Sequence, residues 1–106
     1  MKRGNIYWIR LDNNLGSEIK KQRPCVLVGA TPINQARRTL VVVPLSTAAP
    51  VCPPLTIAVS CLRKKVVAVC DQIRAVDKKR IIEPAGALSP EDLRRLDKAL
   101  TQVLSL

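Results

Sequence analysis

A mainly β chain closed by one C-terminal helix is what this sequence predicts, on three observations. Short runs rich in Val, Ile and Leu recur between Gly, Pro and Asn clusters, and several alternate polar with apolar residues. Only the stretch after Ser89 carries apolar residues at sustained helical spacing. The 106 residues, 47% hydrophobic, fit one domain spanning residues 1 to 106 that can bury its own core. With aromatics at 2% and no Phe, that core must be filled by Val, Leu, Ile and Ala.

Taken in order, Ile6 to Leu11 alternates, setting Ile6 and Trp8 on one face and Tyr7, Ile9 and Leu11 on the other, as a strand does. Residues 12 to 22 are polar and contain Gly16, so they read as a long charged loop. Gln22 to Gly29 then runs from Gln-Arg-Pro into Cys-Val-Leu-Val, the pattern of a buried strand with Arg23 at its mouth. Pro24 fixes φ, donates no N–H and holds Arg23 extended, so the guanidinium stands on a stiff base. Thr31 to Arg38 suits a helical turn or an irregular crossing. The apolar run Leu40 to Leu45 ends in Ser46 and Thr47; if it neighbours the Arg23 strand, both hydroxyls lie close to that guanidinium.

Pro50, Pro53 and Pro54 make a loop. Leu55 to Ser60 alternates as a strand, and Arg63-Lys64-Lys65 reads as a basic turn leading into Val66 to Cys70. From Gln72 to Asp77 the alternation predicts a strand with Gln72 and Arg74 on one face, and Lys78 to Arg80 reads as a basic turn. Ser89-Pro90-Glu91-Asp92 offers an N-cap, proline at the first helical position and acids in the first turn. Leu93, Leu96, Leu100, Val103 and Leu104 follow on one face of the predicted helix.

The net charge of +10 calls for an anionic partner, a nucleic acid or an acidic protein. After Ser89, Arg94, Arg95 and Lys98 balance Glu91, Asp92 and Asp97, so the excess lies in residues 1 to 88. Aromatic stacking platforms are limited to Trp8 and Tyr7. Cys25, Cys52, Cys61 and Cys70 lack Cys-x-x-Cys spacing, and there is no His, which argues against a zinc site. Cys25 and Cys70 read as small buried apolar residues. Neither a leader-like apolar segment nor a bilayer-length run is expected, which points to a cytoplasmic chain with no membrane contact.

Arg3-Gly4-Asn5-Ile6-Tyr7-Trp8, Gly16-Ser17-Glu18, Arg23-Pro24-Cys25-Val26-Leu27-Val28, Val42-Val43-Pro44-Leu45-Ser46 and Cys70 to Asp77 occur in that order. Together they closely resemble the MazF/PemK family of toxin endoribonucleases, over nearly the whole chain. The resemblance implies a small SH3-like barrel of strongly curved antiparallel strands with a C-terminal α-helix. It also implies a homodimer, metal-independent cleavage of single-stranded mRNA without a cofactor, and neutralisation by a cognate acidic antitoxin. Carried onto this chain, Arg23 matches the family's catalytic arginine before proline, and Ser46 takes the place usually held by a catalytic threonine, with Thr47 beside it. Asp71, Gln72 and Arg74 match a stretch that binds substrate and, in the PemK-like branch, contributes to catalysis. Three departures stand out: Asn5 for the usual acid, Val69 for a second catalytic arginine of the PemK-like branch, and Ser17 where that branch can carry His. They favour the pair Arg23 with Ser46.

The chemistry asked of these residues is metal-free RNA cleavage, in which the 2′-OH attacks the adjacent phosphorus. Two histidines often manage the protons of such a reaction. Here electrostatics must carry it, with the Arg23 fork on the non-bridging oxygens, a hydrogen bond from Ser46, and Asp71 as base or as an orienting partner of Arg23 or Arg74. Gln72 is expected to read base edges, while Lys20, Lys21 and Lys78 attract phosphates and Glu18 and Thr47 add substrate contacts. Three rivals to an active toxin remain, the first a catalytically weakened homologue of the same family. A CcdB-like gyrase poison shares the fold but ends in Trp-Gly-Ile, whereas this chain ends Val103-Leu104-Ser105-Leu106. A regulatory DNA-binding protein is supported by charge alone.

Overall fold

The computed structural model describes residues 1 to 11 and 22 to 106. Among them are seven strands and two α-helices: β1 (Asn5–Arg10), β2 (Gln22–Leu27), α1 (Thr31–Ala36), β3 (Thr39–Ser46), β4 (Thr56–Cys61), β5 (Lys64–Val69), β6 (Arg74–Asp77), β7 (Ile81–Ala87) and α2 (Pro90–Val103). Single 3₁₀ turns, Cys70–Gln72 and Lys78–Arg80, bracket β6. The sheet is antiparallel in the order β4-β5-β3-β2-β1-β7, with β6 paired to β3 beside β5.

The apolar run of β3 makes it the hub. One edge meets β2 through Cys25↔Pro44, Val26↔Val43 and Leu27↔Val42. Its other edge meets β6 from Thr39 to Val42 and β5 at Leu45 and Ser46. A strand shared in this way must bend, so the sheet curls and encloses apolar side chains on both faces.

Strand alternation divides those side chains between two cores. Ile6, Val26, Val43 and Leu45 join Leu96, Ala99 and Leu100 of α2 in the larger, with Trp8 packed at its margin. Ile9, Cys25, Leu27, Leu40, Val42 and Val76 form the smaller, flanked by Tyr7, Leu11 and Ile81. The expected partition of β1 is therefore observed. The cap of α2 is too: Ser89 Oγ accepts the Asp92 N–H at 3.1 Å.

Two glycines are fixed by their surroundings. Gly4 has φ +92°, and a Cβ there would meet Leu93 at 3.1 Å. At Gly29, a Cβ would stand 2.6 Å from Oδ1 of Asn34, which is buried and donates to the Gly29 carbonyl at 2.8 Å.

Two expectations need correction, and one strand is added to those the sequence pattern shows. Gln72 lies in a 3₁₀ turn rather than on a strand, and β6 starts at Arg74. The β4–β5 turn falls at Leu62 and Arg63, both at positive φ, which leaves Lys64 and Lys65 on β5. The alternation in Ile81–Ala87 is obscured by Pro84 and Gly86, yet this segment is a strand. It borders only β1, with register shifts between Ile6 and Tyr7 and between Trp8 and Ile9, and an edge strand tolerates such residues. Among the described residues no helix is long and apolar enough to cross a membrane.

Candidate functional site

The β2–β3 pairs each sum to 69 in residue number, so two more steps along that register set Ser46 opposite Arg23. The strands stop pairing before that point, because β3 passes to β5 through Leu45↔Ala68 and Ser46↔Val67. Pro24, with no N–H to give, suits the place where the ladder ends. There a groove of about 450 Å³ opens, with Arg23 and Pro24 on one side, Ser46 and Thr47 on the other, and Trp8 and Val66 completing the wall. Arg23, Ser46 and Thr47 thus share one groove. Trp8, considered in the sequence only as a stacking platform, and Val66 also line it; periodicity marks both simply as strand residues.

Ser46 is held in a defined hydrogen-bonding state. Its Oγ accepts the N–H groups of Ala48 at 3.1 Å and Ala49 at 3.2 Å. A hydroxyl has two acceptor positions and one donor, so these bonds leave the O–H free to donate. The following loop is pinned in turn by Thr56 Oγ1, which accepts from the Cys52 N–H and donates to the Pro50 carbonyl at 2.7 Å.

By strand alternation Arg23, Cys25 and Leu27 share a face, as do Arg74 and Val76 on β6. The Cys25 thiol responds to both arginines: burial pushes it up to about 12, against the pull of the Arg74 and Arg23 guanidiniums. Cys70 is raised by burial and by the Asp71 carboxylate, to about 11. Cys52 is exposed.

Arg23 and Arg74 thus both act on the Cys25 thiol, but Asp71, Gln72 and Arg74 do not line the groove. Arg74 binds back onto the turn, donating through Nε to the Gln72 carbonyl and through a terminal nitrogen to Gln72 Oε1, both at 3.3 Å. The Gln72 amide N–H groups stay available. Among the described residues Asp71 makes no ion pair with Arg23 or Arg74. Lys78 sits farther away, in the turn before β7. Glu18 and Lys20, like Ser17 and Lys21, lie outside the described residues. Among the described residues no group of His, Cys, Asp or Glu is placed to hold a metal ion.

Comparison with known proteins sets this geometry in a family. Residues 2–104 match the family described as PemK-like, MazF-like toxins of type II toxin-antitoxin systems. Endoribonuclease MazF9 of Mycobacterium tuberculosis (strain ATCC 25618 / H37Rv) is 33% identical over 115 residues, spanning 100% of this chain and 98% of that protein. Endoribonuclease PemK of Escherichia coli is 32% identical over 110 residues, spanning 95% and 83%. Among solved structures, a mycobacterial endoribonuclease in complex with its cognate antitoxin superposes with a TM-score of 0.84 at 20% identity, covering 100% of this chain and 96% of that one. MazF of Deinococcus radiodurans does so with a TM-score of 0.83 at 18% identity, covering 100% and 97%. With its curled antiparallel sheet, C-terminal helix and near-complete sequence match, the chain belongs to the PemK-like, MazF-like toxins of type II toxin-antitoxin systems.

Proposed function

We propose that this toxin is an endoribonuclease that cuts single-stranded mRNA by driving attack of the substrate's own 2′-OH on the neighbouring phosphorus. The observation that carries the reading is the meeting of Arg23 and Ser46 in one groove, with both acceptor positions of the serine occupied by backbone N–H groups. A phosphate seated there faces a planar, permanently charged fork on one side and an O–H donor on the other. Both act on the non-bridging oxygens, where charge grows as the pentacoordinate species forms.

As the 2′-oxygen bonds to phosphorus it gives up its proton to water or hydroxide, and the bond to the 5′-oxygen breaks as that oxygen takes a proton from water. The products are a 2′,3′-cyclic phosphate and a free 5′-OH. No histidine is present to shuttle these protons. Asp71, exposed and outside the groove, fits a substrate contact alongside Gln72 and Arg74 better than a base at the scissile bond. The free amide donors of Gln72 suit base edges of an unstacked strand.

Relatives named as endoribonucleases favour this reading over a gyrase poison or a DNA regulator. Solved relatives in complex with an antitoxin support a cognate antitoxin here, with an acidic segment suited to the +10 charge, and the family resemblance supports a homodimer.

The test is a defined single-stranded RNA cut with EDTA present, beside the same strand carrying one 2′-deoxynucleotide at the cleaved linkage. The expected result is cleavage of the first alone, leaving cyclic phosphate and 5′-OH ends. Cleavage of the deoxy strand, or 5′-phosphate ends, would overturn the 2′-OH route.

A further inference from the structure

We propose that a second basic region, at the corner where β1 ends and β3 and β7 begin, is a phosphate track holding the RNA strand beyond the cleaved linkage. This rests on the endoribonuclease reading of the groove and extends it to how the flanking substrate is held.

Three segments bring six cations to that corner. Arg37 and Arg38 follow α1, Lys78, Lys79 and Arg80 form the turn between β6 and β7, and Arg10 ends β1. Hydrogen bonds join these segments: the Lys78 N–H donates to the Arg38 carbonyl at 2.8 Å, Thr39 pairs with Asp77, and the Arg80 guanidinium donates to the Arg10 carbonyl at 3.3 Å. Asp77, the acid within these segments, is engaged as a cap, its carboxylate accepting the Lys79 N–H at 2.8 Å. Arg10, Arg37, Arg38 and Lys79 are exposed and, among the described residues, without an ion pair. A hollow of about 280 Å³ lies against Arg37 and Arg38, floored by Ala36 and Thr39.

The corner is continuous with the groove. Ile9 pairs with Arg23 on one side and Ile81 on the other, which sets Arg23 and the Lys78–Arg80 turn about two strand spacings apart, ~10 Å. Arg10 bridges them, because it pairs with Gln22, which lines the groove. Like charges held together repel, and a polyanion laid along them relieves that repulsion while releasing its own counterions. A second basic cluster, Arg63, Lys64 and Lys65, is just as exposed but sits at the tip of the β4–β5 hairpin, away from the β1 and β7 end of the sheet. It serves as a charge-matched control.

The experiment compares R37Q/R38Q/K79Q with R63Q/K64Q/K65Q, both checked by thermal melting. The probes are two uncleavable single strands with one 2′-deoxynucleotide at the cleaved linkage, one just long enough to fill the groove and one extended on both sides. The corner variant is expected to bind the long strand about tenfold more weakly, with the salt slope reduced by about 2, three phosphate contacts at ~0.7 each. Its binding of the short strand should be unchanged, and the hairpin variant should match the parent on both. The track is overturned if the corner variant loses no more affinity for the long strand than the hairpin variant, or if it loses equally on both strands. Weaker binding of polyglutamate with long-strand binding intact would also overturn it, making the corner a docking surface for an acidic protein. A parent protein that cuts no single-stranded RNA contradicts the reading of the groove; one that cuts in an Arg23-dependent way, beside a corner variant that binds normally, contradicts only the track.

Discussion

Arg3 and Arg23 are both half-buried, yet their guanidiniums have different company. Arg3 is saturated: Nε donates to the Val28 carbonyl at 2.8 Å, and the two terminal nitrogens grip Asp97 of α2 at 3.0 and 2.5 Å. Its own N–H donates to Thr31, so one residue ties the N-terminus to the end of β2, to α1 and to α2. Arg23 has no described side-chain partner and faces a groove that also holds a serine O–H. The residue type does not tell them apart; the geometry of what surrounds each one does. A guanidinium whose donors are spent holds the fold together, and one whose donors are unspent is available to a phosphate.

Substitutions should separate the two roles. The largest expected effect is for Arg23→Ala, a loss of about a hundredfold or more in cleavage rate with little change in melting temperature, read by single-turnover kinetics and thermal melting. A folded variant that cuts at the parental rate would break the contrast. Ser46→Ala should cost about tenfold or more in the same assay while Ser46→Thr stays close to the parent, because the hydroxyl is the shared requirement. Equal rates for the two would remove the serine from the chemistry.

Arg3→Ala should reverse the pattern. Losing a carbonyl bond and a forked, partly exposed ion pair costs about 1–2 kcal/mol, a drop in melting temperature of roughly 5–10 °C, with cleavage below the transition nearly unchanged. A stable variant with impaired cleavage would show that the two arginines are coupled.

The smallest effect at neutral pH concerns Cys25, beside Arg23. Its folded value of about 12 lies above the ordinary 9.0, so between those values the folded chain keeps a proton that the unfolded chain releases. Its contribution is therefore constant below about pH 9 and falls as pH rises from there toward 12. Melting temperatures from pH 8 to 11 should fall less steeply in Cys25→Ala than in the parent; identical slopes would contradict the assignment.

What the sequence made legible follows from which forces are local. The faces of β1 and the cap and stripe of α2 were readable because period and capping chemistry lie within a few consecutive residues. Arg23 and Ser46 could be placed at strand ends, but their meeting depends on the β2–β3 register, which only the long-range pairing settles. β7 is not legible locally, because Pro84 and Gly86 argue against a strand unless its edge position is known. The fit of Gly29 against Asn34 and the gathering of Arg10, Arg38 and Lys78 at one corner leave no local mark, since they arise from segments joined only in the folded chain.

The most direct test of a site built on a permanent cation and an alcohol is the pH dependence of single-turnover cleavage between pH 5.5 and 7.5. Guanidiniums and aliphatic alcohols as residue types have no titration between those values, and the chain has no imidazole. The expected log-rate profile stays level or rises with hydroxide, without a descending limb. A bell with its maximum inside that range would require an acid and a base titrating there, and would contradict the account.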